Sequence, residues 1–234
     1  MSGDANLSAV ASLMADQNRS EMLLVLLGGE PQSGTALADA AGISRSLASA
    51  HLKKLVAGGL VRVETSGRQR MYTIASRLVA DAIEALLLLS PPSEVRSLQQ
   101  ATRSKNLRWA RMCYDHLAGV VGVAVTGALA ARELISERDG TFVLAPRGPG
   151  DLAAFGIDVA ELRSRRRPLL RECMDWTEHR HHLAGSLGAA LTAEMLRRDW
   201  LRGQEVSRVV TVTAEGQAGL RDWLGIDLAR LRAA

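Results

Sequence analysis

The chain has 234 residues, enough for one large domain or two ordinary ones. It is 47% hydrophobic and 23% charged, which excludes a disordered or fibrous chain, and its net charge of +4 fits a polyanionic partner without demanding one. Aromatic residues make up only 3%, so the core must be aliphatic helix packing, and two cysteines exclude a disulfide framework. No signal peptide or membrane span is expected, because the apolar run 82–89 is short and interrupted by Glu84, and the expected compartment is the cytoplasm.

In chain order, residues 1–6 are expected to fray. Leu7, Val10, Ala11 and Met14 have helical spacing and predict a first helix over 7–14. Asn18 or Ser20 could cap a second, ending at Gly28-Gly29-Glu30-Pro31. The stretch 35–74 then organises everything around it. A short helix with Ala36, Leu37 and Ala40 runs into a turn at Ala41-Gly42, and Ser44 is placed to cap a second helix over 45–57. Ala48, Leu52 and Leu55 form its apolar stripe, and Gly58-Gly59 stops it. A strand over 60–64, a turn over 65–68 and a returning strand over 69–74 complete a winged helix-turn-helix, whose second helix suits the major groove of DNA.

The candidate DNA-binding residues are Ser44, Arg45, Ser46, Ser49, Ala50, Lys53, Lys54, Arg68 and Arg70. Ser46, Ser49, Ala50 and Lys53 lie opposite the apolar stripe. Serine can bond a base edge, and alanine can touch a thymine methyl. Lys53, Lys54, Arg68 and Arg70 are placed for phosphates, the arginines from the wing. Residues 40–77 hold seven Lys and Arg against one acid, Glu64, so positive charge is concentrated in this segment.

The segment resembles the ArsR family of bacterial repressors. The resemblance rests on Arg19 to Leu24, Leu37-Ala38, Gly42-Ile43-Ser44, Ser49 to Leu55, Gly59-Leu60-Val61 and Gly67 to Tyr72, and spans about the first 90 residues. It implies a homodimer on a two-fold operator in double-stranded DNA, repressing until a signal releases it. His51 belongs to the family pattern but flanks the buried stripe, where a packed histidine is expected. Leu47 stands where the family often has a polar residue, so no operator sequence carries over.

Residues 76–89 predict a helix apolar over most of its surface, which needs cover on both sides. Leu78, Val79, Ala82, Ile83, Leu86 and Leu87 are therefore the candidate dimer interface. Pro91-Pro92 within 90–93 marks a boundary between a DNA-binding and dimerisation domain, 1–90, and a C-terminal effector or dimerisation region, 94–234. Residues 94–137 read as largely helical, with a break near Gly119–Gly122, and 141–144 as a short β segment.

The C-terminal region contains two repeats, about 113–158 and 173–227. His116-Leu117-Ala118-Gly119 recurs as His182-Leu183-Ala184-Gly185, Gly156-Ile157-Asp158 as Gly225-Ile226-Asp227, and Cys113-Tyr114-Asp115 is echoed by Cys173-Met174-Asp175. Each copy is expected to be a small winged-helix-like lobe, so the fold class is mainly α with small β wings. Signal sensing is placed between the two copies.

Cys113, Asp115 and His116, with Cys173, Asp175, His179 and His182, are the candidate effector or metal residues. Soft sulfur with imidazole suits zinc or another transition metal. On a helix, however, Cys113 and His116 stand three apart and Cys173 and His179 six apart, a poor ligand geometry. The dimer helix and the recognition helix also lack the ligands that the ArsR resemblance would supply for metal sensing. A small organic effector, near Trp109, Trp176, Trp200 and Trp223, is therefore preferred to a metal or a Cys113–Cys173 redox pair. The run 163–167 reads as a basic linker before Pro168. No P-loop, GxGxxG, GxSxG or HExxH is present, so no enzyme is expected; a constitutive architectural DNA-binding protein is the remaining alternative.

Overall fold

Side-chain caps set where the N-terminal helices begin. Asn6 accepts the Ala9 N–H and starts α1 (Leu7–Met14). Asp16, rather than Asn18 or Ser20, starts α2 (Gln17–Leu26), because its carboxylate sits in extended backbone and accepts the Arg19 N–H. After β1 (Gln32–Ser33), Ser33 caps α3 (Gly34–Ala41), which ends on Gly42 at φ 67. Ser44 caps α4 (Arg45–Ala57) through the Leu47 N–H. β2 (Val61–Ser66) and β3 (Gln69–Ile74) follow, then α5 (Arg77–Leu89). This computed structural model describes residues 4–92, 94–95 and 97–233; the expected fraying over 1–3 and Ser93 of the proline connection lie outside the described residues.

The wing is longer and its turn tighter than the sequence suggests. β2 and β3 pair from Val61–Ile74 to Ser66–Gln69, leaving only Gly67-Arg68 as the turn. Gly67 has φ 60, the conformation a glycine supplies at the first position of a two-residue hairpin turn. β1, too short to stand out in the sequence, pairs with β3 and makes the sheet three-stranded, in the order β1-β3-β2. Met22, Leu26, Leu37, Ala48, Leu52, Leu55, Val61 and Ile74 are all buried, so the apolar stripe of α4 faces the core as expected.

The chain divides into two compact units, one running to Ile83 and including Glu205–Arg208, the other comprising Glu84–Gln204 and Val209 onward. The second contains α6 (Leu98–Trp109), β4 (Arg111–Cys113), β5 (His116–Ala118), α7 (Gly119–Ala131), β6 (Ile135–Arg138), β7 (Thr141–Leu144), α8 (Gly148–Ala154) and α9 (Val159–Ser164). It continues with β8 (Arg171–Met174), β9 (His181–Ala184), α10 (Gly185–Arg197), β10 (Leu201–Gly203), β11 (Val210–Val212), α11 (Ala214–Leu224) and α12 (Leu228–Ala233). The helical expectation over 94–137 is thus corrected. α6 ends at Trp109, and the β4–β5 hairpin intervenes, because Tyr114 at φ 62 makes its turn and Gly119 at φ 82 redirects the chain into α7.

Each repeat is a hairpin, a helix, a second hairpin and two helices. In each copy one helix precedes the second hairpin and two follow it, and the leading hairpin was not expected. The two copies exchange equivalent bonds: the Leu117 N–H donates to Thr192 Oγ1 at 2.9 Å, and the Leu183 N–H to Thr126 Oγ1 at 2.8 Å. Gly122 and Gly188 permit the close approach of each helix to its own hairpin. A Cβ there would sit 2.5 Å and 2.3 Å from the carbonyl oxygens of Leu117 and Leu183. Val121, Val125, Leu129, Leu187, Leu191 and Met195 fill the shared core of this unit. Among the described residues, no helix is long and apolar enough to cross a membrane.

Candidate nucleic-acid interface and metal centre

The surface of α4 that does not enter the core carries Arg45, Ser46, Ser49, Ala50, Lys53 and Lys54, all exposed. Ser44 is exposed as well, with its hydroxyl committed to the helix cap at 3.3 Å from the Leu47 N–H. Arg68 and Arg70 are exposed at the tip of the wing. Leu47, the departure from the family pattern, is 44% exposed on the same helix face, where an apolar side chain can meet a thymine methyl. His51 is buried, with Nδ1 3.4 Å from the Arg19 guanidinium and 3.7 Å from the Asp16 carboxylate. It packs as expected, and its partners are side chains.

On α5, Leu78 and Leu86 are exposed at 78% and 47%, with Ala82 between them at helical spacing. Val79 and Leu87 are half-buried, and Ile83 is buried within its own chain. Leu89, together with Leu7 and Val10 of α1, adds further exposed apolar surface.

The cysteine and histidine residues converge. Cys113 lies directly across the first hairpin from His116, and Cys173 directly across the second from His182. The two hairpins bring Cys113 Sγ to 3.8 Å from Cys173 Sγ, and His116 Nε2 to 3.1 Å from His182 Nε2. All four ligand atoms lie within 4.8 Å of one another. Three of the four residues are buried, and Cys173 is partly so. These four residues are on strands, not on helices as expected, and opposite side chains of a hairpin share one face, which brings each Cys to its His. His179 is not part of the group; it is exposed in the longer turn of the second hairpin, at φ 50.

The two aspartates stand behind the histidines. Asp115 Oδ1 is 3.2 Å from His116 Nδ1, and Arg167 holds the same carboxylate. Asp175 Oδ2 is 3.4 Å from His182 Nδ1 and accepts the Gly119 N–H at 2.7 Å, while Oδ1 accepts from Arg111 at 2.9 Å. Burial raises the Asp175 carboxyl, but Arg111, the Thr177 hydroxyl and the Gly119 N–H outweigh it and hold it well below the usual range. Burial opposes protonation of His116, yet Cys113 and Asp115 raise it to about 9; burial and His116 push His182 down. The Cys113 thiol is pushed up by its contact with Cys173 and by burial.

Arg167 therefore gives the basic run 163–167 one structural duty. Its other arginines, 163, 165 and 166, are exposed. The tryptophans are packed rather than arrayed around an open cleft. Trp223 stacks on Phe155 at 3.7 Å, Trp200 lies 5.3 Å from the same ring, and Trp109 and Trp176 are covered by Arg232 and Arg111.

A family model described as a helix-turn-helix domain matches residues 14–64. The chain is 36% identical over 223 residues to YdfF of Bacillus subtilis (strain 168), an uncharacterized HTH-type transcriptional regulator, covering 95% of this chain and 99% of that protein. The N-terminal part is also similar to solved structures. The homodimeric winged helix-turn-helix DNA-binding domain of Mb0332 from Mycobacterium bovis, a possible ArsR-family regulator, is 28% identical, covering 38% of this chain and 89% of that one, at a TM-score of 0.33. The cadmium sensor CMTR from Mycobacterium tuberculosis is 32% identical, covering 39% and 94%, at a TM-score of 0.32.

Proposed function

Because the chain belongs to the HTH-type transcriptional regulators, we propose that it is a repressor of the ArsR kind, acting as a homodimer on a two-fold operator. The observation that carries this reading is the exposed face of α4, with small polar side chains toward bases and lysines toward phosphates. The exposed stripe Leu78, Ala82 and Leu86 supports self-association, since an apolar face of this kind is covered in a stable regulator. The C-terminal unit receives the signal, a small effector that releases DNA. The protein works in the cytoplasm as a regulator, not an enzyme.

Footprinting of the purified protein on its own upstream DNA, over a salt series, tests the reading. A protected site with two-fold symmetry is expected, and binding no tighter than to random DNA would refute it. Replacing Arg68 and Arg70 by alanine should weaken binding to all sequences alike. It should also reduce the slope of log K against log salt by about 0.9 for each phosphate that the protein no longer neutralises. An unchanged slope would remove the wing from the interface. Leu78→Glu with Leu86→Glu should convert the dimer to a folded monomer in sedimentation, because two charges would enter the apolar contact. A dimer that persists would place self-association elsewhere.

A further inference from the structure

We propose that Cys113, His116, Cys173 and His182 bind one zinc-class divalent ion in a closed tetrahedral site that fastens the two C-terminal repeats to each other. Each repeat contributes one Cys–His pair from its leading hairpin, so the site is complete only when both hairpins are in place.

Geometry gives the first argument. Zinc lies about 2.3 Å from sulfur and about 2.0–2.1 Å from nitrogen, so a tetrahedral site puts two sulfurs about 3.8 Å apart and two nitrogens about 3.3 Å apart. The observed separations are 3.8 Å for Cys113 Sγ–Cys173 Sγ and 3.1 Å for His116 Nε2–His182 Nε2. Two sulfurs and two imidazoles in this arrangement select zinc over magnesium or calcium, which prefer oxygen.

The orientation of the rings agrees. His116 Nδ1 is hydrogen-bonded to Asp115 at 3.2 Å, and His182 Nδ1 faces Asp175 Oδ2 at 3.4 Å without a hydrogen bond. With the ring protons on Nδ1, both Nε2 lone pairs would face one space 3.1 Å across, which a metal ion fills in place of the proton that otherwise bridges the two rings. The two adjacent sulfurs serve no purpose for a proton and complete the coordination of a metal. Asp115 and Asp175 are then positioning residues, which fix the ring orientation and keep the ligating nitrogen bare. On binding, the two thiols release their protons to solvent and the metal takes the thiolates. With four protein ligands, no position is left for water, which is the pattern of a fastening site rather than a catalytic one.

This inference goes beyond the DNA-binding reading and does not rest on it. The test uses the full chain, reduced, stripped with a chelator and reloaded with Zn(II) or Co(II). One equivalent should bind per chain, and cobalt should give the intense visible bands of a tetrahedral site with a thiolate charge-transfer band. The chain has only two cysteines, so a thiol reagent reports on this site alone; both thiols should be protected by zinc and released by chelator. Cys173→Ser should diminish the charge-transfer band. It should weaken zinc binding by more than the roughly 10–100-fold expected of the positioning variant Asp115→Asn. His179→Ala should change neither. Failure of the reduced, unaltered protein to take up metal would overturn the proposal, as would an octahedral cobalt spectrum without a thiolate band. So would thiols that zinc leaves equally reactive; these readings do not require any variant to fold. Operator binding measured in parallel separates the two readings, since a protein that holds zinc but ignores DNA refutes only the regulator.

Discussion

Replacing Arg111 by methionine is expected to destabilise the C-terminal unit by about 3–5 kcal/mol, the usual consequence of removing one partner of a buried ion pair. Arg111 and Asp175 are both fully buried, and their 2.9 Å contact joins the strand that opens the first repeat to the turn of the second hairpin. Arg111 also donates to Thr177 Oγ1 at 3.1 Å and lies over the Trp176 ring at 4.6 Å. Methionine fills much of the stem volume but leaves the Asp175 carboxylate without its guanidinium, beside a His182 imidazole whose charged form burial disfavours. The Gly119 and Thr177 N–H groups remain, and they are dipoles, not countercharges. Urea unfolding followed by tryptophan fluorescence measures the change, because all four tryptophans are in this unit. A second variant, Arg111→Met with Asp175→Leu, should recover part of the stability, since an apolar pair of similar volume removes the stranded charge. A cost for Arg111→Met below about 1 kcal/mol, the range of an exposed pair, would mean that water reaches the carboxylate and that this ion pair does not hold the repeats together.

The sequence was most informative where periodicity and caps act locally. α1 and α4 run over the residues their spacing indicates, because Leu7 to Met14 and Ala48, Leu52 and Leu55 each repeat at helical intervals beside a capping side chain. The leading hairpins of the repeats were illegible for the opposite reason. Arg111 to Ala118 contains no proline or glycine, and its alternation is too short to separate from a helical segment. Its strand conformation depends on nonlocal partners: the Leu117 N–H bonds to Thr192, and Gly119 to Asp175. A helix over 111–118 would put Cys113 and His116 on neighbouring turns, and the metal geometry would vanish with it. The repeat itself contained a usable signal. Cys113 and Cys173 are 60 residues apart, while His116 and His182 are 66 apart; a longer turn in the second copy accounts for the difference. Aligning both Cys and both His as equivalent pairs, instead of pairing Cys173 with the nearer His179, identifies the four residues that meet.

Ser49→Glu should abolish specific DNA binding while leaving the fold intact, and the reason is a separation of duties on α4. Ala48, Leu52 and Leu55 are buried to within 1% and hold the helix, whereas Ser49 is exposed and contributes nothing to that core. Glutamate is the better helix former, so the helix itself is not weakened. A carboxylate at this position would face the phosphates and the acceptor-rich groove floor without a counterion, and like charges brought together at an interface cost several kcal/mol. At 1.4 kcal/mol for each factor of ten, the expected drop in affinity is at least about a hundredfold. Ser49→Ala isolates the other contribution. It removes only a hydrogen bond to a base, so a penalty of about 1–3 kcal/mol with relaxed preference at one base pair is expected. Ala160→Glu makes the same change of net charge at an exposed position on α9, far along the chain from the motif, and should bind as the unaltered protein does. Fluorescence anisotropy on labelled operator distinguishes all three. If Ser49→Glu binds within about threefold of the unaltered protein, far short of the several kcal/mol that facing charges cost, α4 does not enter the groove and DNA is held by another surface. If both glutamate variants weaken binding equally, the effect is one of total charge rather than of a recognition helix.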